Sequence, residues 1–168
     1  MQLDIDGAEQ DQNLWCWAAC TQMVLRALGI ERAQCEIVSD ALGVADCCSG
    51  DPPEQSLRLI QVNPEFVDFL NAKVAPSQYV AGALDPTTLR SRLNSGPVAA
   101  CLENATRGHV VLVVGWHESN DADNPIILIN DPQTGATARS MRYGELVLGL
   151  GLADAFGGWR QSICIELP

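Results

Sequence analysis

The sequence predicts an α+β fold in which an N-terminal helical lobe and a C-terminal antiparallel β-sheet lobe meet at a cleft. Three observations carry this. Apolar residues recur at helical spacing in the first half, whereas short β-branched or aliphatic runs bounded by Gly, Asn, Asp and Pro fill the second. Helices followed by strands, rather than alternating with them, argue against a parallel sheet. No linker, repeat or low-complexity segment divides the 168 residues. The expected organisation is therefore one domain over 1–168, with the helical lobe at about 8–95 and the sheet lobe at about 96–168.

Residues 15–28 have the periodicity of a first helix, closed by Gly29. "AQCEIVSDALG" predicts a shorter second helix ending at Gly43, and "ADCCSGDPPEQ" is rich in turn formers. "NPEFVDFLNAKV" predicts a helix capped by Asn63, with Pro64 in its first turn. "DPTTLRSRLNSG" has Asp85 as cap, Pro86 at the first helical position and Gly96 at the stop. Four runs then read as strands of a mostly antiparallel sheet: "PVAACLE", "HVVLVVGWH", "PIILIND" and "RQSICIEL". "RYGELVLGL", between the last two, fits a short helix.

Composition narrows the function classes. The chain is 47% hydrophobic and 18% charged, as globular domains are. Its net charge of −11 would repel a phosphate backbone and anionic membrane surfaces, and would attract basic partners. No apolar run reaches the ~18 residues of a membrane span. The N-terminal "MQLDIDGAEQ" lacks the features of a signal peptide, which leaves a cytoplasmic or a secreted protein. Seven cysteines allow up to three disulfides beside one reactive thiol, or several buried free thiols.

Candidate chemistry begins at "NLWCWAAC". Cys16 falls in the first turn of the first predicted helix, where unpaired N–H groups and the helix dipole favour a thiolate. Cys20 lies one turn deeper, on the apolar stripe, and reads as core. A thiol nucleophile needs a base, and only His109 and His117 are present. They sit at opposite ends of one predicted strand, on the same face but roughly 27 Å apart, so they cannot share a site. An antiparallel partner strand ending in "NDP" would bring Asp131, or its neighbour Asn130, beside His109 and away from His117. Either could orient the imidazole. Gln10 and Gln12 lie upstream of Cys16, and Gln10 is spaced to reach back over the helix N-terminus as an oxyanion donor.

Gln10-x5-Cys16-Trp17, then "GHVVLVVGW" from Gly108, then Asn130-Asp131-Pro132 resembles the papain-like cysteine peptidases. The pattern is most similar to their compact bacterial branches, namely peptidases that process bacteriocin leaders and secreted effector proteases of plant pathogens. The resemblance covers the chain from about residue 8 to the last strand. It implies Cys16 as nucleophile, His109 as base, Asp131 as orienting residue and Gln10 as oxyanion donor. It also implies a peptide or protein substrate and no cofactor or metal. The sequence departs from papain in lacking C-G-S/A-C-W and in offering Asp131 beside Asn130. Trp17 and Trp116 either wall the site or pack the lobes.

The expected activity is thus peptide hydrolysis by a Cys-His-Asp triad. Three alternatives stand beside it. One is a thiol-dependent deamidase, amidase or transpeptidase. Another is a non-catalytic binding domain on a papain-like frame. The third is a zinc site built from Cys35, Cys47 and Cys48, which the lack of a Cys-x-x-Cys motif disfavours.

Overall fold

A computed structural model describes residues 1–60, 62–135, 138–152, 154 and 156–168, with Val62 and Asn63 described by backbone alone. Three helices lead: α1 (Cys16–Ala27), α2 (Gln34–Leu42) and α3 (Val67–Lys73). There follow β1 (Ser77–Ala81), α4 (Pro86–Leu93), β2 (Val98–Glu103), β3 (Gly108–His117), β4 (Ile126–Asn130), β5 (Arg139–Arg142), α5 (Tyr143–Leu148) and β6 (Gly158–Ile165). The fold is α+β. Among the described residues, six strands pair antiparallel throughout, in the order β1-β6-β2-β3-β4-β5.

The local chemistry explains most of these boundaries. At the start of α4, Asp85 accepts hydrogen bonds from the Thr87 and Thr88 N–H groups at 3.0 Å. At the start of α2, the Glu36 carboxylate accepts from the Ala33 N–H at 2.9 Å. Gly43 ends α2 in the left-handed region that glycine adopts without strain. The predicted helix over 63–74 differs from expectation. Val62–Phe66 winds as a wider π-type turn that runs into α3, and regular helix begins only at Val67. The side chain of Asn63, read as its cap, lies outside the described residues. The sequence reading missed β1 and β5, whose "SQYVA" and "RSMR" carry too few apolar residues to register. Both are edge strands, where one side of the ladder is unpaired and polar side chains are tolerated.

Side-chain alternation gives the sheet two buried faces. Ala99, Cys101, Val110, Leu112 and Val114 pack with α1, α2 and α3 in one core. Val98, Ala100, Leu102, Val111 and Val113 pack with Leu89 and Leu93 of α4 and Leu146 of α5 in the other. Although they precede residue 96, β1 and α4 therefore belong with the sheet. Among the described residues, no helix is long and apolar enough to cross a membrane.

A register shift between Val113 and Gly115 interrupts β3 where it pairs with β4. Trp116 consequently joins the core that holds Val111 and Val113. A one-residue bulge inverts the alternation beyond it, so His117 faces the opposite side from His109, not the same side as its even spacing implied. The bulge also receives the N-terminus. The Met1 amine donates to the Trp116 carbonyl, and the Leu3 N–H donates to that of Val114, both at 2.8 Å. Gly115 makes the approach possible, because a Cβ there would lie 3.0 Å from the Met1 carbonyl oxygen and 3.2 Å from Gln2 Cα. From this anchor, residues 1–10 run across β3 and β4 toward the N-terminus of α1.

Candidate active site

Cys16 is the first residue of α1, and it is preceded by an unusual turn. Leu14 has φ +69°, a left-handed conformation that costs a residue with a Cβ about 1–2 kcal/mol. Trp15 then occupies the cap position with no side-chain hydrogen bond to the helix. Among the described residues no side chain caps this turn, and its first residue, Cys16, lines the cavity. The turn is held from beneath. The Trp15 indole donates to the Ser56 carbonyl at 2.8 Å, and the Trp17 indole donates to that of Arg58 at 3.2 Å. The two tryptophans thus clamp the helix start to the segment before α3. Trp17 is fully buried and stacks edge-on with Phe66.

The antiparallel pairing of β3 and β4 sets the end of one strand beside the start of the other, as expected. The His109 Nε2 and Asp131 Oδ1 atoms are 2.7 Å apart, with both side chains buried. Cys16 and His109 line the same cavity, and the Cys16 side chain contributes to the electrostatics of the imidazole. Burial pulls the His109 pKa down, but the hydrogen bond to Asp131 and the influence of Cys16, with the charges of both, outweigh it and hold the value up at about 9. Burial likewise works to raise Asp131, yet the hydrogen bonds from His109 and from the Gln133 N–H leave it below the usual carboxylate value. Asn130 takes another task. Its Nδ2 donates to the Ile5 carbonyl at 2.8 Å, which ties the N-terminal segment to β4.

Gln10 lines a cavity of about 480 Å³ together with Cys16, His109, Leu59, Gln133 and Phe156. Its backbone N–H donates to the carbonyl of Pro132, next to Asp131, at 2.8 Å. One N–H of its side chain donates to the Gln12 carbonyl at 3.1 Å, leaving the second for a ligand. Gln12 itself is not among the cavity residues.

Sequence reasoning missed Phe156, whose ring stacks on His109 at 4.3 Å between centroids and 20° between planes. It lies in "GLADAFGGW", which has no periodicity to mark an inward residue. Gly157 permits its placement, since a side chain there would collide with the Glu103 carbonyl. Trp17 and Trp116 do not wall the cavity. Each is packed in a core, and Trp116 lies on the sheet face turned away from α1.

The remaining thiols divide cleanly. Cys35 and Cys48 form a disulfide, which removes two of the three thiols of the zinc alternative. Cys47, Cys101 and Cys164 are free and buried. Cys20 points its sulfur at the Val110 carbonyl, and burial pushes its pKa well up, as it does for Cys101. Among the described residues, no three His, Cys, Asp or Glu side chains form a metal cluster.

Comparison with known proteins identifies a family and a fold. The profile of a family described as "Peptidase_C39 like family" matches residues 2–146. No curated protein sequence matches the chain. Among solved structures, it is similar to the peptidase domain of Streptococcus ComA, a bi-functional ABC transporter involved in a quorum-sensing pathway. The TM-score is 0.61 at 13% identity, covering 98% of this chain and 99% of that one. It is also similar to a chain from a structural study of antibody cross-reactivity between the mite allergens Blo t 1 and Der p 1. There the TM-score is 0.59 at 12% identity, covering 96% of this chain and 66% of that one.

Proposed function

The chain belongs to the Peptidase_C39-like family; we propose that it is a papain-like cysteine peptidase acting on peptides or proteins, that Cys16, His109 and Asp131 form its catalytic triad and that Gln10 is its oxyanion donor. The observation that carries this reading is the buried His109–Asp131 contact at 2.7 Å, on a ring that lines one cavity with Cys16 and Gln10.

His109 accepts the Cys16 proton through Nδ1, the ring nitrogen that Asp131 does not engage. Asp131 receives a hydrogen bond from Nε2, fixes the tautomer and stabilises the imidazolium. The thiolate attacks the scissile carbonyl carbon, and the carbonyl π electrons move onto oxygen. The Cys16 N–H, uncapped at the helix start, and the free Gln10 amide N–H hold that oxyanion. As the C–N bond breaks, the imidazolium gives its proton to the departing amine. Water then attacks the thioester with His109 as base, releasing the acid and restoring the thiol. Phe156 covers one face of the imidazole and keeps water from it.

The test is peptide turnover by Cys16→Ala and Cys20→Ala. The first should abolish cleavage with the fold intact and the second should preserve it; the reverse pattern would overturn the assignment.

A further inference from the structure

The two groups assigned to the oxyanion stand on different parts of the chain. The Cys16 N–H belongs to α1, whereas Gln10 sits in an extended segment that has left the sheet. Their spacing depends on whatever joins the two. That joint is Gln34, the first residue of α2, which is 1% exposed. Its Nε2 donates to the Glu9 carbonyl at 2.7 Å, and its Oε1 accepts from the Asp11 N–H at 2.9 Å. It thus grips the backbone on both sides of Gln10. The same Nε2 lies 3.2 Å from Oε1 of Gln22, which is carried by α1 and anchored in turn by donation to the Arg32 carbonyl at 2.7 Å. One buried amide therefore spans from the nucleophile's helix to the segment bearing Gln10.

We propose that Gln34 is a positioning residue for the oxyanion hole, holding Gln10 at a fixed distance from the Cys16 N–H through Glu9, Asp11 and Gln22. A buried amide with both ends satisfied is a stiff connector, because any slip leaves a donor or acceptor unpaired in the interior. Among the described residues, Gln10 is tied elsewhere by its backbone bond to Pro132 and its side-chain bond to Gln12. The Gln12 carbonyl also accepts from the Trp15 N–H at the cap of α1, at 3.2 Å, a single longer tether beside the two-sided grip of Gln34. Without Gln34, the segment keeps its place on the sheet side but loses its register against the helix. A displacement of about 1 Å at a reacting centre lowers turnover by roughly a hundredfold.

The inference rests on Gln10 being the oxyanion donor, so the experiment is a double-mutant cycle between Gln34→Met and Gln10→Ala. It follows kcat and KM on one peptide together with the rate of Cys16 alkylation by iodoacetamide. Alkylation passes through no oxyanion and reads the nucleophile alone. Gln34→Met should lower kcat about ten- to a hundredfold, with KM and alkylation unchanged within about twofold. Gln10→Ala should lower kcat by about 10²–10³. The double variant should be no slower than Gln10→Ala, because a missing donor cannot be misplaced.

If Gln34→Met does not fold, Gln22→Met cuts the connection at α1 while leaving the grip on Glu9 and Asp11. It should lower kcat by a smaller factor, again only when Gln10 is present. Effects that multiply in the double variant, or alkylation that falls in step with kcat, would overturn the positioning role while leaving the donor reading intact. A Gln10→Ala enzyme with undiminished kcat would sink both.

Discussion

Replacing Asp131 with Asn tests the charge arrangement most finely, because shape is nearly conserved while the carboxylate is lost. In the native site, Asp131 Oδ1 accepts from His109 Nε2 and from the Gln133 N–H at 3.0 Å, while Oδ2 is buried without a protein partner among the described residues. An Asn that keeps Oδ1 toward His109 must bury an unpaired NH₂ in the place of Oδ2. One that flips presents a donor to a donor. Either way the imidazolium loses its countercharge.

His109 is held at about 9 against an ordinary 6.5, and Cys16 supplies part of that support, so the full gap is not at stake. A neighbouring opposite charge is worth about 1–3 pH units. The imidazolium is the form needed to protonate the leaving amine, and it exists below the raised pKa. The alkaline limb of kcat/KM should therefore lie near pH 9 in the native enzyme and fall by about 1–2 units in Asp131→Asn. The maximum should drop by about 10²–10⁴. Profiles from pH 5 to 10, paired with NMR titration of the His109 ring, measure both. An unmoved limb in Asp131→Asn, or a limb moved instead by Asn130→Ala, would refute the reasoning.

The same shifts set how stability depends on pH. His109 is raised in the folded state, so its contribution is complete below its unfolded value of 6.5 and fades as pH rises through about 9. Asp131 is lowered, so its contribution is present above its ordinary 3.8 and is lost as pH falls through the folded value. Urea unfolding should show the native protein losing stability on both sides of that window, more steeply than Asp131→Asn does. Phe156→Ala removes a buried ring from the face of His109. It should cost about 3 kcal/mol in the same assay and lower kcat, with no effect on kcat counting against a shielding role. Cys35→Ser with Cys48→Ser opens a cross-link with a sequence separation of 13 and should destabilise the protein by about 3 kcal/mol, read as a lower urea midpoint.

Much of this arrangement was legible in the sequence, for identifiable reasons. Helix punctuation at Asp85, Gly29 and Gly43 is local chemistry, and the structure follows it closely. The meeting of His109 with Asp131 follows from antiparallel pairing alone, since a strand's start and its partner's end are neighbours. What escaped was long-range or irregular. The β3 bulge before Gly115 lies where the N-terminal segment packs against the strand, and strand periodicity cannot anticipate it. Phe156 reaches His109 from an aperiodic loop whose path depends on contacts with β2. The left-handed Leu14 has no sequence signature, because the residue most suited to that conformation is glycine. Gln34 carries no mark in the sequence, because its partners at Glu9, Asp11 and Gln22 come from distant parts of the chain.

The central claim is that Cys16, activated by His109, opens a peptide bond. Mass spectrometry of a peptide-library digest, run in parallel with native enzyme and Cys16→Ala, tests it most directly. The account predicts paired fragments whose masses sum to substrate plus water with native enzyme, and untouched peptides with Cys16→Ala. Intact peptides gaining about one dalton, as deamidation produces, or fragments persisting with Cys16→Ala, would contradict it.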